Sequence, residues 1–201
     1  MKFNFEEEHK KEQRKKILLL ALRWIVEIAI VVGIGYLVAH FCLLKTTMVD
    51  GAMDNSIKNN QDVVVNKSSY LVFSPKRNDI IAFTRTNDVN LIDEPLIMIR
   101  RVIGLPGEKV QIKDGSIFIN DVKLDEKYMM TAMNSGGLVE APITLGEDEY
   151  FVLGDNRNDS EDSRYRSFGN VKEENIYGKV ILKLNSLGLI GGPVKEKEED
   201  S

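Results

Sequence analysis

The chain has 201 residues, room for one globular domain and an appended segment. Hydrophobic residues make up 43% and charged residues 29%, the balance of a folded protein, and a net charge of -4 with no long basic face argues against nucleic acid as a partner. One cysteine, Cys42, excludes an intrachain disulfide and a Cys-based metal site, and His9 and His40 lie far from the polar part of the chain, so neither a zinc site nor a His-based triad is expected there.

The N-terminus opens with Lys2, Lys10, Lys11, Arg14, Lys15 and Lys16, mixed with Glu6, Glu7, Glu8 and Glu12. An apolar stretch from Ile17 to Leu44 follows, interrupted only by Arg23, Glu27 and His40. As a helix, Trp24–Leu44 spans roughly 30 Å, the thickness of a bilayer's hydrocarbon core. Glu27 sits one turn after Arg23, so the two can pair and lower the cost of a charge there. A cleaved secretory signal would have an apolar core of only about 7–15 residues ending at a small-residue site. A buried helix of a soluble protein would not be apolar on every face. The reading is an uncleaved anchor: 1–23 in the cytoplasm, 24–44 in the cell membrane as a single pass, and the rest outside, because Lys and Arg precede the span and only Lys45 closely follows it.

Beyond Lys45 the pattern becomes short alternating runs. Strands are expected at Asp62–Asn66, Asp79–Thr84, Ile97–Ile103, Lys109–Lys113, Ser116–Asn120, Tyr150–Leu153 and Lys179–Leu184. Asp114-Gly115 between two of them supplies the positive φ angles of a type I′ hairpin. No helical periodicity separates the runs, so 45–190 is expected to be a mainly β, antiparallel domain. Loops are expected at Ser74–Asp79 and Asn134–Gly137, with an irregular end at Gly188, Gly191, Gly192 and Pro193 and a disordered charged tail over 191–201.

Three segments stand out. The first is Val49-Asp50-Gly51-Ala52-Met53-Asp54-Asn55-Ser56-Ile57, followed by Gln61-Asp62-Val63-Val64-Val65-Asn66-Lys67. The second is Arg100-Arg101-Val102-Ile103-Gly104-Leu105-Pro106-Gly107-Glu108, whose Pro-Gly reads as a type II turn. The third runs from Gly154-Asp155-Asn156-Arg157-Asn158-Asp159 to Ser160-Glu161-Asp162-Ser163-Arg164, directly after the apolar Tyr-Phe-Val-Leu. Acids and bases so dense beside a core strand point to an ion-pair network in which they neutralise one another. A solvated loop is the alternative, and the network is favoured.

In this order, after an N-terminal anchor, the three segments resemble the bacterial type I signal peptidases, the Ser–Lys membrane proteases, and their Gram-positive branch in particular. The resemblance covers Trp24 to about Lys183. It implies the β fold, no cofactor, and an active site built from the first two segments and supported by the third. In that family the first segment reads Ser-Met-x-Pro-Thr-Leu, with Ser the nucleophile, and the second begins Lys-Arg-Val-Ile-Gly, with Lys the general base. Counted back without gaps from Val63-Val64-Val65-Asn66, Ala52 falls at the Ser position and Met53 keeps the family Met, while Arg100 falls at the Lys position. Ser160, Asp162 and Arg164 match positions that support the site.

The substitutions remove two chemical functions. Alanine has no nucleophilic oxygen. A guanidinium stays charged and accepts no proton. Loss of a nucleophile or base removes on the order of 10⁶-fold of acceleration in serine proteases. Asp50 stands where some relatives place an oxyanion-stabilising hydroxyl, and a carboxylate there would repel a developing oxyanion. Asp50 either pairs with Arg100 or faces solvent.

Three functions follow from the resemblance. A non-catalytic protein could bind extended segments of secreted proteins by strand addition, as serine-less relatives in pilus assembly are thought to do, with pilin subunits or a sortase as the partner class. An active signal peptidase could use a displaced nucleophile, Ser56 first. A regulatory subunit could pair with an active peptidase through the anchor, where Gly33 and Gly35 could allow close helix approach although no small-xxx-small motif stands out.

Overall fold

A computed structural model describes residues 5–85, 96–126, 132–184 and 188–189. The chain falls into two compact units, divided after Cys42. The first is helix α1, Phe5–Cys42. It is long and apolar enough to cross a membrane, with none of its apolar window buried. Arg23 Nε and Glu27 Oε1 lie 2.8 Å apart, the one-turn pair the sequence suggested.

The second unit is two antiparallel sheets. The larger contains β1 (Leu43–Thr47), β2 (Asp62–Asn66), β3 (Ile80–Phe83), β4 (Met98–Gly104), β9 (Glu149–Leu153), β10 (Val171–Lys172), β11 (Ile176–Lys183) and β12 (Gly188–Leu189). Its order is β1-β2-β11-β3-β4-β9-β10, with β12 on β11. The smaller contains β5 (Lys109–Lys113), β6 (Ser116–Ile119), β7 (Val122–Lys123) and β8 (Ile143–Thr144), in the order β7-β6-β5-β8.

Local chemistry explains much of this. Asp114 and Gly115 both take positive φ, 50° and 69°, and Lys113 pairs with Ser116 across the turn, as the Asp-Gly pair requires. Gly107 takes φ 74° in the Leu105–Glu108 turn that carries the chain from the large sheet to the small one. At Gly104, just before it, a Cβ would lie 2.8 Å from both Leu145 and Val110 side chains, so the two sheets close on a residue without a side chain. β4 lies between β3 and β9 and is buried along its whole length. Apolar residues from the sheet faces and from the turns between β1 and β2 form the core, with Met53, Ile57, Val63 and Val65 in one cluster and Ile103, Val110, Phe151 and Leu153 in another.

Several boundaries differ from the sequence reading. Leu43 and Leu44, counted there with the apolar span, begin β1 and pair with Asn66 and Val65. Backbone pairing with β2 takes precedence over the apolar run. β11 begins three residues earlier than the Val-Ile-Leu pattern suggests, with a register shift between Ile176 and Gly178. Asn120 and Asp121 form a second two-residue turn with φ 51° and 67°, one the sequence reading missed because it lacks glycine. Gly188, expected in an irregular end, lies in β12. The four two-residue strands β7, β8, β10 and β12 are too short to show a period. The tail expected over 191–201 lies outside the described residues.

Candidate functional site

The first segment leaves β1 and folds into short turns. Met48 and Gln61 close its base, with Met48 N donating to Gln61 O at 3.0 Å and Asn60 N to Met48 O at 2.9 Å. Met53 O accepts from Ser56 N at 2.7 Å and from Ile57 N at 2.6 Å. Met53 and Ile57 are fully buried, which pins the segment to the core and puts Ala52, 2% exposed, just beneath the surface. Met53 Sδ accepts from Asp155 N at 3.4 Å, so the first and third segments are in contact.

Asp50 ties Ala52 to the second segment. Its Oδ1 accepts from Ala52 N at 3.1 Å, and its Oδ2 accepts from Arg100 Nη2 at 2.7 Å. Of the two arrangements open for Asp50, pairing with Arg100 is the one present. The Arg100 side chain is 1% exposed, and that of Asp50 is 36% exposed. Arg100 is further held by backbone carbonyls: Nη1 donates to Ile99 O at 2.7 Å, and Nε and Nη2 donate to Glu161 O at 3.0 and 2.9 Å. Its guanidinium lies 5.9 Å from the centre of the Phe168 ring. Every donor direction of this cation is directed at an acceptor or a ring, and none at an open reactive centre.

The next residue on β4 projects to the other side of the strand. Arg101 meets Asp155 in a bidentate pair, Nε to Oδ1 at 2.7 Å and Nη2 to Oδ2 at 2.6 Å, with both side chains buried. Ser56 belongs to this group: its Oγ donates to Asp155 Oδ2 and accepts from Arg101 Nη2 at 3.3 Å. Lys183 Nζ donates to the Ser56 carbonyl oxygen at 2.7 Å, not to its hydroxyl.

The third segment is a network, but not the self-contained one its sequence suggests. Within it Asp162 pairs with Arg164, through Nε at 2.8 Å and Nη2 at 2.9 Å. Asp155 is neutralised by Arg101 and Arg157 by Glu126, with Arg157 Nη1 donating to Glu126 Oε2 at 2.9 Å. Asp159 is exposed. Asp162 Oδ2 also accepts from Gly154 N at 3.1 Å, so the pair fixes the start of the loop. Ser160 Oγ is buried and has no hydrogen-bond partner among the described residues. At Gly154 an added Cβ would lie 2.5 Å from the Ala52 carbonyl oxygen, and this close approach lets the third segment lie against the first.

All seven residues singled out from the sequence are therefore buried or half-buried where the three segments meet, although Ser160 is held there through its carbonyl oxygen, which accepts from Arg164 Nη2 at 3.4 Å, and not through its hydroxyl. The sequence reading gave no site role to Arg101, Glu126 or Phe168. Arg101 left a signal, a second charge in the middle of an otherwise apolar strand. Phe168 lies just downstream of the third segment, in Phe168-Gly169, and Glu126 left no signal, because its partner Arg157 is remote in sequence. Among the described residues, no cluster of three His, Cys, Asp or Glu side chains could hold a metal ion.

The family model described as signal peptidase, peptidase S26, matches residues 21–184. The chain belongs to the signal peptidase family. The probable signal peptidase I-2 of Synechocystis sp. is 28% identical over 198 residues, covering 98% of this chain and 87% of the relative. Signal peptidase IB of Staphylococcus aureus is 30% identical over 177 residues, covering 81% of this chain and 88% of the relative. A crystal structure of a signal peptidase I from Enterococcus faecalis is 36% identical, covers 53% of this chain and 96% of that chain, and has a TM-score of 0.42. Like other signal peptidase family proteins, this one is a membrane protein with a single N-terminal apolar helix among its described residues.

Proposed function

We propose that this signal peptidase family protein binds extended segments of secreted proteins without cutting them, with its β domain held on the outer face of the membrane by α1. Ala52 stands at the nucleophile position and Arg100 at the general-base position, with Asp50, Met53, Ser160, Asp162 and Arg164 supporting them. The reading is carried by one observation: the Asp50 carboxylate joins the Ala52 amide to the Arg100 guanidinium. An amide that could stabilise an oxyanion already serves a carboxylate, and a developing negative charge would be repelled there. Arg100 cannot take a proton from an attacking group. The free edge strand β1, which pairs only with β2 among the described residues, runs directly into Met48–Ala52 and offers backbone groups for strand addition. Pilin subunits or a sortase are the partner class this reading favours, in a Gram-positive pilus-assembly role.

The second reading is an active signal peptidase that cleaves signal peptides from exported preproteins. It is favoured by the likeness to relatives named as signal peptidases over most of the chain. Ser56 is its candidate nucleophile, but that hydroxyl is engaged by Asp155 and Arg101, and among the described residues no amine is bonded to it. The test incubates the purified full-length protein in detergent with an exported preprotein and with pilin-derived peptides. Saturable peptide binding without cleavage is expected. Turnover that disappears in Ser56→Ala would establish the second reading instead.

A further inference from the structure

A recess of about 380 Å³ opens between the turns after Met53 and the end of β11. Lys58 and Lys183 line it with Asn59 and Asn60, against a single carboxylate, Asp54. Lys183 is half-buried, and its ammonium is fixed by the Ser56 carbonyl oxygen, which leaves two of its three donors for a ligand. Ser56 is itself fixed, since its hydroxyl joins the buried Arg101–Asp155 pair. Neither lysine has a carboxylate partner among the described residues, whereas Lys45, Lys109 and Lys179 each pair with an aspartate. Taking a cation partly out of water without a counter-charge is costly. The rim of the recess is rigid. Lys58 N donates to Gln61 Oε1 and Gln61 N to Lys58 O, each at 3.0 Å. Asn59 N donates to Asp54 Oδ1 at 3.1 Å, so that carboxylate serves the backbone. Lys58, Asn59 and Asn60 are exposed around the opening, and their side chains make no hydrogen bond among the described residues.

We propose that this recess binds the phosphate group of a soluble phosphate ester. Two ammonium groups and two carboxamides set around one opening suit an oxyanion that accepts hydrogen bonds from several directions. A carboxylate suits it less. The buried carboxylates of Asp155 and Glu126 are each met by a planar arginine fork, and among the described residues no arginine lines the recess. Small-molecule sites typically enclose about 300–1,000 Å³, so the recess has room for a phosphate and a small organic group behind it. Its chemistry is separate from that of Ala52 and Arg100. Ser56 meets Arg101, whose side chain leaves β4 on the face opposite to that of Arg100. The site therefore stands whether or not the β domain binds extended segments of secreted proteins.

The test uses the full-length protein in an uncharged detergent. Its thermal unfolding is followed by circular dichroism while inorganic phosphate or glycerol 3-phosphate replaces chloride at constant ionic strength. The expected result is a Tm that rises and saturates, by about 3–5 °C at ten times the dissociation constant. Lys58→Gln should weaken the apparent affinity roughly tenfold and leave the phosphate-free Tm unchanged, since the Lys58 side chain has no partner among the described residues. Lys58→Gln/Lys183→Gln should abolish the rise. Lys183 also holds the Ser56 carbonyl oxygen, so if the double variant fails to fold, Lys58→Gln decides alone. A flat titration overturns the proposal, as does a rise that is unchanged in Lys58→Gln or matched by acetate in place of phosphate. A flat titration in detergent, joined to a Lys58-dependent rise only in nanodiscs containing phosphatidylglycerol, assigns the lysines to a lipid headgroup and overturns the soluble ligand.

Discussion

Asp50 and Arg100 are 50 residues apart, and their ion pair is the feature on which the site turns; a double-mutant cycle over Asp50→Asn and Arg100→Met measures it. The guanidinium is 1% exposed and the carboxylate 36% exposed, so the pair is buried on one side and wet on the other. Removing one partner of a fully buried pair costs about 3–5 kcal/mol, and an exposed pair contributes about 0.2–1 kcal/mol. Asp50→Asn leaves the cation buried with the Ile99 and Glu161 carbonyls as acceptors and should cost about 2 kcal/mol, part of the charge being screened by solvent. Arg100→Met removes the desolvated charge but strips those carbonyls of a donor, and should also cost about 2 kcal/mol. The double variant should fall well short of the sum, by about 1.5 kcal/mol, or roughly tenfold in the unfolding constant. Urea unfolding of the full-length protein in mild detergent, followed by the β-sheet circular dichroism of the domain, gives the four stabilities. Additive effects, within about 0.5 kcal/mol, would refute the pairing; a coupling that vanishes in 1 M salt would place it in bulk solvent rather than in the site.

Three further outcomes are expected. Ala52→Ser alone should give no preprotein cleavage, because Arg100 remains a cation and Asp50 still occupies the Ala52 amide, whereas the triple change Asp50→Ser/Ala52→Ser/Arg100→Lys should give measurable cleavage by gel assay; turnover from Ala52→Ser alone would show that neither neighbour is an obstacle. Gly154→Ala should lower stability by about 1–3 kcal/mol in the same urea assay, since its Cβ would press on the Ala52 carbonyl oxygen and the Ser160 hydroxyl. Hydrogen bonds from Lys45 and then Thr47 hold the Asp62 carboxyl below the ordinary aspartate value, so its contribution is present above about pH 4 and is lost as pH falls through the lower, folded-state value; Asp62→Asn should therefore show a shallower loss of stability below pH 4, and an unchanged acid limb would count against the β1–β2 clasp.

The local features of this protein were legible in its sequence because each depends on neighbouring residues. An apolar run gives α1, an Asp-Gly pair gives the β5–β6 hairpin, Pro-Gly gives the turn between the sheets, a β-branched run gives β2, and period-two alternation gives β5. The motif order gave the family. Three dense segments survive as a pattern even though Ala52 and Arg100 depart from it. The tertiary structure decided what the sequence left open or misplaced. Leu43 and Leu44 belong to a strand because β2 offers their backbone partners, something composition cannot report. Asp155 and Arg157 find their counter-charges in Arg101 and Glu126, which sequence distance hides. Asp50 turns toward Arg100 because a guanidinium buried on β4 needs an anion within reach, and burial is a property of the whole sheet. Ionic chemistry between remote residues is set by which strands become neighbours, and only the folded chain fixes that.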